Sequence, residues 1–278
     1  MIRKIVELDT DLTDQAAKLI LRNDAYRRYY FPTCEDAKQI ATALRKPTLD
    51  WSSVVEDRVV AVFSIDQSIK RLSKMCIQPG SGELVVSEIL SVLRVIEVYS
   101  PLELADVWVH HGFQKGVMQV QFVRKPQESR IMQLLPLANP TVSDLQAISR
   151  LMVECYSGKY ADAKDAERYL RNLMNNKDFL NDCSFISKAR DEVVSACLVN
   201  GDSVRAEVIE LFTHPLYRAR RLAYTELSMA MNRLLKRRVP ELWATVDSEN
   251  KVAVRLFSKH GFAEAARTVA MKNESCRV

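Results

Sequence analysis

The sequence repeats itself, and that limits the folds open to it more than any other feature. Ile2 to Ile20 (IRKIVELDTDLTDQAAKLI) parallels Ile131 to Leu151 (IMQLLPLANPTVSDLQAISRL): an apolar strand, a turn with an acid (Asp14 matching Asp144), then an amphipathic helix. Glu56 to Val62 (EDRVVAV) parallels Arg190 to Ala196 (RDEVVSA), a charged turn entering a β-branched strand, with Asp57 matching Asp191. Ser100 to Phe113 parallels Ser248 to Phe262, a helix that stops at His-Gly-Phe in both places, where glycine suits the left-handed position past a helix end. Three segments in the same order imply a duplicated unit. The offset grows from 130 at Asp14 to 149 at His111, so the second copy carries extra residues in its middle, in the stretch that holds His214 to Arg238.

Length agrees with duplication, because 278 residues are nearly twice an average domain of ~150. The short polar connector Lys125 to Arg130 sets the expected division, 1–126 and 127–278. Hydrophobic residues at 47% and charged residues at 27%, with no long apolar run, describe a globular chain without a membrane span. The six cysteines never fall as C-x-x-C, which argues against a zinc ribbon or dithiol pair and for scattered buried thiols. The N-terminus reads as a first strand rather than a signal peptide, and the cytoplasm is the expected compartment. A net charge of +5 permits a phosphorylated ligand without pointing to nucleic acid.

Each half reads as strand, helices, two or three strands, helix, strand, helix, strand: a mixed α/β plan. In the second half the strands fall near 131–137, 182–189, 193–200, 204–213, 241–246 and 264–271, and the helices near 143–156, 163–175, 221–237 and 249–259.

The stretch from Glu207 to Phe262 carries the chemistry. The strand Glu207 to Phe212 leads into Thr213-His214-Pro215-Leu216-Tyr217-Arg218-Ala219-Arg220-Arg221-Leu222-Ala223, followed by a helix. After it come the strand Leu242 to Val246, then Asn250, Ala253, Leu256-Phe257 and Gly261-Phe262. In this order the motifs resemble the GNAT superfamily of acyl-CoA-dependent N-acyltransferases, whose loop reads R-x-x-G-x-A. The whole chain is similar to tandem members of that family with one working half. The resemblance implies two GNAT-like domains, the first degenerate. It also implies acetyl-CoA as co-substrate, no metal, a primary amine of a small molecule, amino acid or peptide as acceptor, and direct attack in a ternary complex.

The loop has a physical rationale of its own. A strand that turns into a helix leaves the first helical N–H groups without partners, and with the helix dipole these suit a pyrophosphate. Seven Lys or Arg (Arg218, Arg220, Arg221, Arg233, Lys236, Arg237, Arg238) lie between His214 and Arg238 against one acid, Glu226. The bland reading of the later ones is a solvated helix face. Arg221 stands where the family keeps glycine, in a chain with only 7 glycines, and its side chain could either supply a cation or obstruct. The equivalent junction in the first half, Met75 to Leu84, keeps Pro79 and two glycines but has no arginine and starts its helix with Glu83. That junction reads as a remnant.

By the resemblance, cofactor contacts fall on Leu211, Phe212, Thr213, Arg218, Ala219, Arg220, Arg221, Leu222 and Ala223, with Asn250 on the pantetheine arm. Asn250 reads equally as a helix N-terminal polar residue. Glu210 or Glu207 would take the amine proton, and the N–H of Leu211 or Phe212 would face the thioester oxyanion. Three apart on an extended strand, the two acids are expected on opposite faces, with Glu210 the preferred base. Phe257 stands where the family often has a tyrosine that protonates the leaving thiolate, so Tyr217, Tyr224, Ser258 or water would have to serve. His214 reads as a structural hydrogen-bonding residue, and His110, His111 and His260 as helix-end cations. Tyr29-Tyr30-Phe31 with Arg27-Arg28 reads as core and rim. An alternative function is a catalytically silent binding or interaction module, and a weaker one is RNA association through the basic helix. The acceptor's identity and the oligomeric state are not written in the sequence.

Overall fold

A computed structural model describes the chain except residues 5–9, 32–33, 46–50, 56–57, 67–70, 94, 130, 132–133, 157 and 274–278. Asp57, Arg130, part of the expected strands at 2–9 and 131–137, and Cys276 therefore lie outside the described residues. In chain order the first half runs β1 (Ile2–Lys4), α1 (Thr10–Arg22), α2 (Asp24–Tyr30), α3 (Ala37–Leu44), β2 (Trp51–Val55), β3 (Val59–Asp66), β4 (Arg71–Ile77), α4 (Gly82–Val92), β5 (Glu97–Pro101), α5 (Ala105–His110) and β6 (Gln114–Arg124). The second runs β7 (Leu137–Ala138), α6 (Leu145–Cys155), α7 (Ala163–Met174), β8 (Phe185–Ala189), β9 (Glu192–Gly201), β10 (Ala206–Thr213), α8 (Leu222–Lys236), β11 (Leu242–Asp247), α9 (Lys251–Lys259) and β12 (Ala263–Lys272). The fold is the mixed α/β plan of the sequence reading. The strand expected near 131–137 is described only as the two-residue β7.

The chain forms two compact units. The first comprises Met1–Gln121, Val246–Val254 and Ala265–Val278. Its strands β1 to β4 pair antiparallel, β4 and β5 parallel, and β12 closes on β5 from Thr268↔Pro101 to Lys272↔Glu97. Helix α1 turns Thr13, Ala16, Ala17 and Ile20 inward, the 3.6-residue stripe that its sequence implies. Phe31 and Trp51 meet tilted at 5.3 Å within a buried cluster that includes Tyr26, with Tyr30 packed against it, so Phe31 is core. Where β4 turns into α4, Gly80 takes φ +83, and a Cβ on Gly82 would stand 2.6 Å from Leu104 Cδ2. Glu83 in the first turn of α4 lies 2.9 Å from His111 Nε2. A packed, acid-bearing helix start is a poor seat for an anion.

The second unit comprises Phe122–Thr245 and Arg255–Glu264. Here β7, β8, β9 and β10 pair antiparallel in turn, and β11 runs parallel to β10. Side-chain alternation sorts the two faces. Ile186, Ala196 and Phe212 pack with α6 and α7, while Ser187 and Ser195, one residue out of step, meet Glu226 on α8. The connector is strapped to α8: Ser129 N–H donates to Asn232 Oδ1 (2.8 Å), and Asn232 Nδ2 donates to Ser129 O (3.0 Å).

The His-Gly-Phe turns are Schellman motifs in both copies. Phe113 N–H donates to Trp108 O and Gly112 N–H to Val109 O; Phe262 N–H donates to Phe257 O and Gly261 N–H to Ser258 O. The glycines take φ +86 and +81. These are the left-handed positions expected for them.

Candidate active site

The site grows from the end of β10. Strand β10 gains a residue relative to β9: Val208 pairs with Val199 but Glu210 with Leu198, leaving Ile209 as a bulge. Its ladder with β11 runs only from Ala206↔Leu242 to Val208↔Ala244, so the rest of β10 leaves that neighbour and exposes an edge of main chain. Ile209 packs toward the α6 and α7 cluster, and Phe212 is part of it. The bulge cancels simple alternation, and the expectation that Glu207 and Glu210 face opposite sides is corrected: Glu207 precedes Ile209 by two residues and shares its face. Glu207 Oε1 accepts from Thr245 Oγ1 at 3.2 Å.

Glu210 is the acid at the centre of the cluster, with only 3% of its surface exposed. Its Oε1 accepts from Lys159 Nζ (2.9 Å) and from Tyr169 Oη (2.9 Å). Tyr156 and Tyr160 also face it. Burial first, then the Glu210 carboxylate, hold the Tyr156, Tyr160 and Tyr169 hydroxyls well above the usual phenol range, so all three are protonated.

The loop after β10 supplies the second part of the site. Thr213 O accepts from Arg218 Nε (3.2 Å) and Cys155 Sγ (3.4 Å). His214 caps the short 3-10 turn Pro215–Tyr217, its Nδ1 accepting from Leu216 N–H at 3.1 Å, while its Nε2 faces Glu154 at 3.1 Å. That is the structural role its sequence position suggests. Ala219 and Arg221 both take left-handed backbone, φ +61 and +59. Arg221 therefore adopts the conformation that glycine favours, as the N-cap of α8 without a side-chain cap bond. Thr225 N–H is the first to bond back, to Arg221 O (2.9 Å), so the amides of Leu222 and Ala223 head the helix start. The Arg220 guanidinium lies 5.2 Å from the centre of the Tyr217 ring. Unpaired helix-start amides, left-handed turns and flanking guanidiniums suit a pyrophosphate. Further along, Arg237 is engaged with Asp182 at 2.7 Å and marks a helix end rather than an open basic face.

Asn250 caps α9, its Oδ1 accepting from Ala253 N–H at 3.1 Å, and it falls in the stretch Val246–Val254 that groups with the first unit. Phe257 is buried between Phe122 (5.9 Å, stacked) and Phe262 (5.1 Å, edge-on) and is a core residue. His260 is corrected from a helix-end cation to a buried neutral ring. Arg124 Nη1 stands 2.7 Å from its Nδ1 and Ser228 Oγ 3.0 Å from its Nε2. Burial, then the Arg124 charge, push its pKa down, and an arginine can only donate, so the proton sits on Nε2.

The strand, the loop with its left-handed turns and the helix follow one another as in the acyltransferase pattern of the sequence. The acetyltransferase (GNAT) family model matches residues 145–262. This segment is a GNAT-family domain. The full chain also shares its fold with solved GNAT structures. A GCN5-related N-acetyltransferase from Sphaerobacter thermophilus is 15% identical with a TM-score of 0.63, over 98% of this chain and 94% of that one. A GNAT-family acetyltransferase from Colwellia psychrerythraea is 13% identical with a TM-score of 0.59, over 99% and 100%. A tandem GNAT protein from the clavulanic acid biosynthesis pathway is 12% identical with a TM-score of 0.54, over 98% and 97%. No curated protein matches the sequence. Among the described residues no three His, Cys, Asp or Glu side chains gather as a metal site, and no helix is long and apolar enough to cross a membrane.

Sequence reasoning named Glu210, Leu211 and the loop, and read Tyr156 to Asp182, lysine-bearing with Tyr160 and Tyr169, as either a substrate flap or a plain helical connection, without placing Tyr156, Lys159, Tyr160 and Tyr169 on Glu210. The signal was available in the run Tyr156 to Tyr169, aromatic and basic between two helices, and only the packing on Glu210 gives it meaning.

Proposed function

We propose that the GNAT-family domain transfers an acetyl group from acetyl-CoA to a primary amine by direct attack, and that the copy at 1–126 is a degenerate partner of the working copy at 127–278. The observation that carries this reading is the buried Glu210 carboxylate, one residue before the Leu211 amide, at a bulge where β10 leaves β11. An amine placed where Lys159 Nζ now sits would be 2.9 Å from Oε1, within reach for proton removal. The Leu211 N–H, one residue beyond Glu210, would face the carbonyl oxygen. Arg218, Ala219, Arg220, Arg221, Leu222 and Ala223 would hold the pyrophosphate, with Phe212 and Thr213 beside the pantetheine arm.

Thiol release from acetyl-CoA across a panel of primary amines tests this, alongside the Glu210→Gln variant. Native protein is expected to turn over at least one amine. The variant should lose about 10²–10⁴-fold in kcat while its acetyl-CoA affinity is kept. Equal turnover by both would remove Glu210 as the base, and no turnover of any amine would contradict the reading.

A further inference from the structure

Four side chains, from the C-cap of α6, the following loop and α7, converge on one carboxylate. Lys159 Nζ lies 4.5 Å from the centre of the Tyr156 ring, 5.3 Å from that of Tyr160 and 5.8 Å from that of Tyr169, with Glu210 Oε1 at 2.9 Å. The rings brace one another, Tyr156 on Tyr160 at 6.4 Å and Tyr160 on Tyr169 at 5.7 Å, and Tyr156 rests edge-on against Phe212 at 5.6 Å. A cation among three ring faces with a buried carboxylate is the arrangement that recognises ammonium groups. Two further features separate it from an ordinary ion pair. The Lys159 side chain is half exposed while Glu210 is 3% exposed, so the lysine reaches in from outside to fill a site built by others. The buried Tyr160 hydroxyl has no hydrogen-bond partner among the described residues, which suits a ligand with a further polar group.

We propose that Glu210 and the rings of Tyr156, Tyr160 and Tyr169 form a binding site for the ammonium end of an unbranched alkyl primary amine, and that Lys159 occupies it as an internal copy of that ligand. The ligand class follows from the occupant: four methylenes ending in a primary ammonium. This deepens the acyl-transfer reading, resting on it only for the sense that the bound amine is the acceptor. An external amine must displace Lys159, and a site filled about nine-tenths of the time by its own lysine shows a ligand about tenfold weaker than its intrinsic affinity.

The test is calorimetric titration of the whole chain with n-butylammonium, without acetyl-CoA, so that binding is read apart from acyl transfer. Lys159→Met and Lys159→Gln should each bind n-butylammonium about tenfold more tightly than the native protein, and adding Glu210→Gln to either should abolish that gain. Neutral n-butanol should gain nothing. The proposal is overturned if both lysine variants melt as the native protein does and bind n-butylammonium no more tightly, or if n-butanol gains as much. Tight ammonium binding with no acetyl transfer would keep this site and refute the acyl-transfer reading instead.

Discussion

Arg221 is the residue at which the sequence and the family pattern part, and its backbone resolves the conflict. The main chain takes the left-handed turn, φ +59, that a glycine would supply, with an arginine side chain carried on it. Left-handed backbone costs an ordinary residue about 1–2 kcal/mol. Arg221→Gly is therefore expected to stabilise the fold by about 1 kcal/mol, whereas Arg221→Ala, which keeps the Cβ, should not. Thermal unfolding of the two variants checks this, and equal melting would mean the turn is unstrained. Glu226 is the second telling residue. It is fully buried, with the hydroxyls of Ser187 and Ser195 at 2.6 and 2.9 Å from its two oxygens, and burial raises its pKa to about 8 against those hydrogen bonds. From the sequence it was only the lone acid of a basic stretch.

At the scale of elements, the repeated helix stop offers a controlled comparison. Gly112 and Gly261 have nearly the same backbone, but a Cβ on Gly112 would meet nothing within 4 Å, whereas one on Gly261 would stand 3.3 Å from Arg124 Cζ. Gly112→Ala should cost about 1 kcal/mol from the backbone alone. Gly261→Ala should cost more, because Arg124 must also shift from its 2.7 Å contact with His260. Denaturant unfolding of both variants measures the difference, and equal costs would deny the Arg124 contact a role. Elements were legible because their periodicities are local: the α7 and α8 helices fall within about one residue of expectation. The bulge at Ile209 was not, since it depends on how β10 registers against β9, a long-range pairing that leaves no mark in either strand. For the same reason the faces of Glu207 and Glu210 were misassigned. The tyrosine stretch read as a flap or a plain connection, and its convergence on Glu210 was not legible because ring contacts between the end of α6, its loop and α7 have no sequence period.

At the scale of the molecule, Glu226 links stability to pH. Its folded pKa of about 8 lies above the ordinary carboxyl value of 4.5, so between these limits the folded state holds a proton that the unfolded chain gives up. Its contribution is complete below pH 4.5 and lost as pH rises through about 8, with a slope of at most about 1.4 kcal/mol per pH unit. Glu226→Gln should flatten that fall, leaving the variant more stable than the native protein at pH 8 and little changed at pH 5. Parallel slopes for the two proteins across this range would place the Glu226 proton elsewhere. The duplication was legible throughout because matching segments keep their order, and the asymmetry between copies was legible at the two helix starts. One offers glycine-like turns with Arg218 and Arg220, and the other a packed start bearing Glu83.

That asymmetry is the central claim, and the stoichiometry of acetyl-CoA binding tests it most directly. Calorimetric titration of the intact chain is expected to give one saturable site per chain, weakened when Arg218 and Arg220 are both replaced by glutamate and unaffected when Glu83 is replaced by alanine. Two equivalent sites, or no binding at millimolar acetyl-CoA, would contradict it.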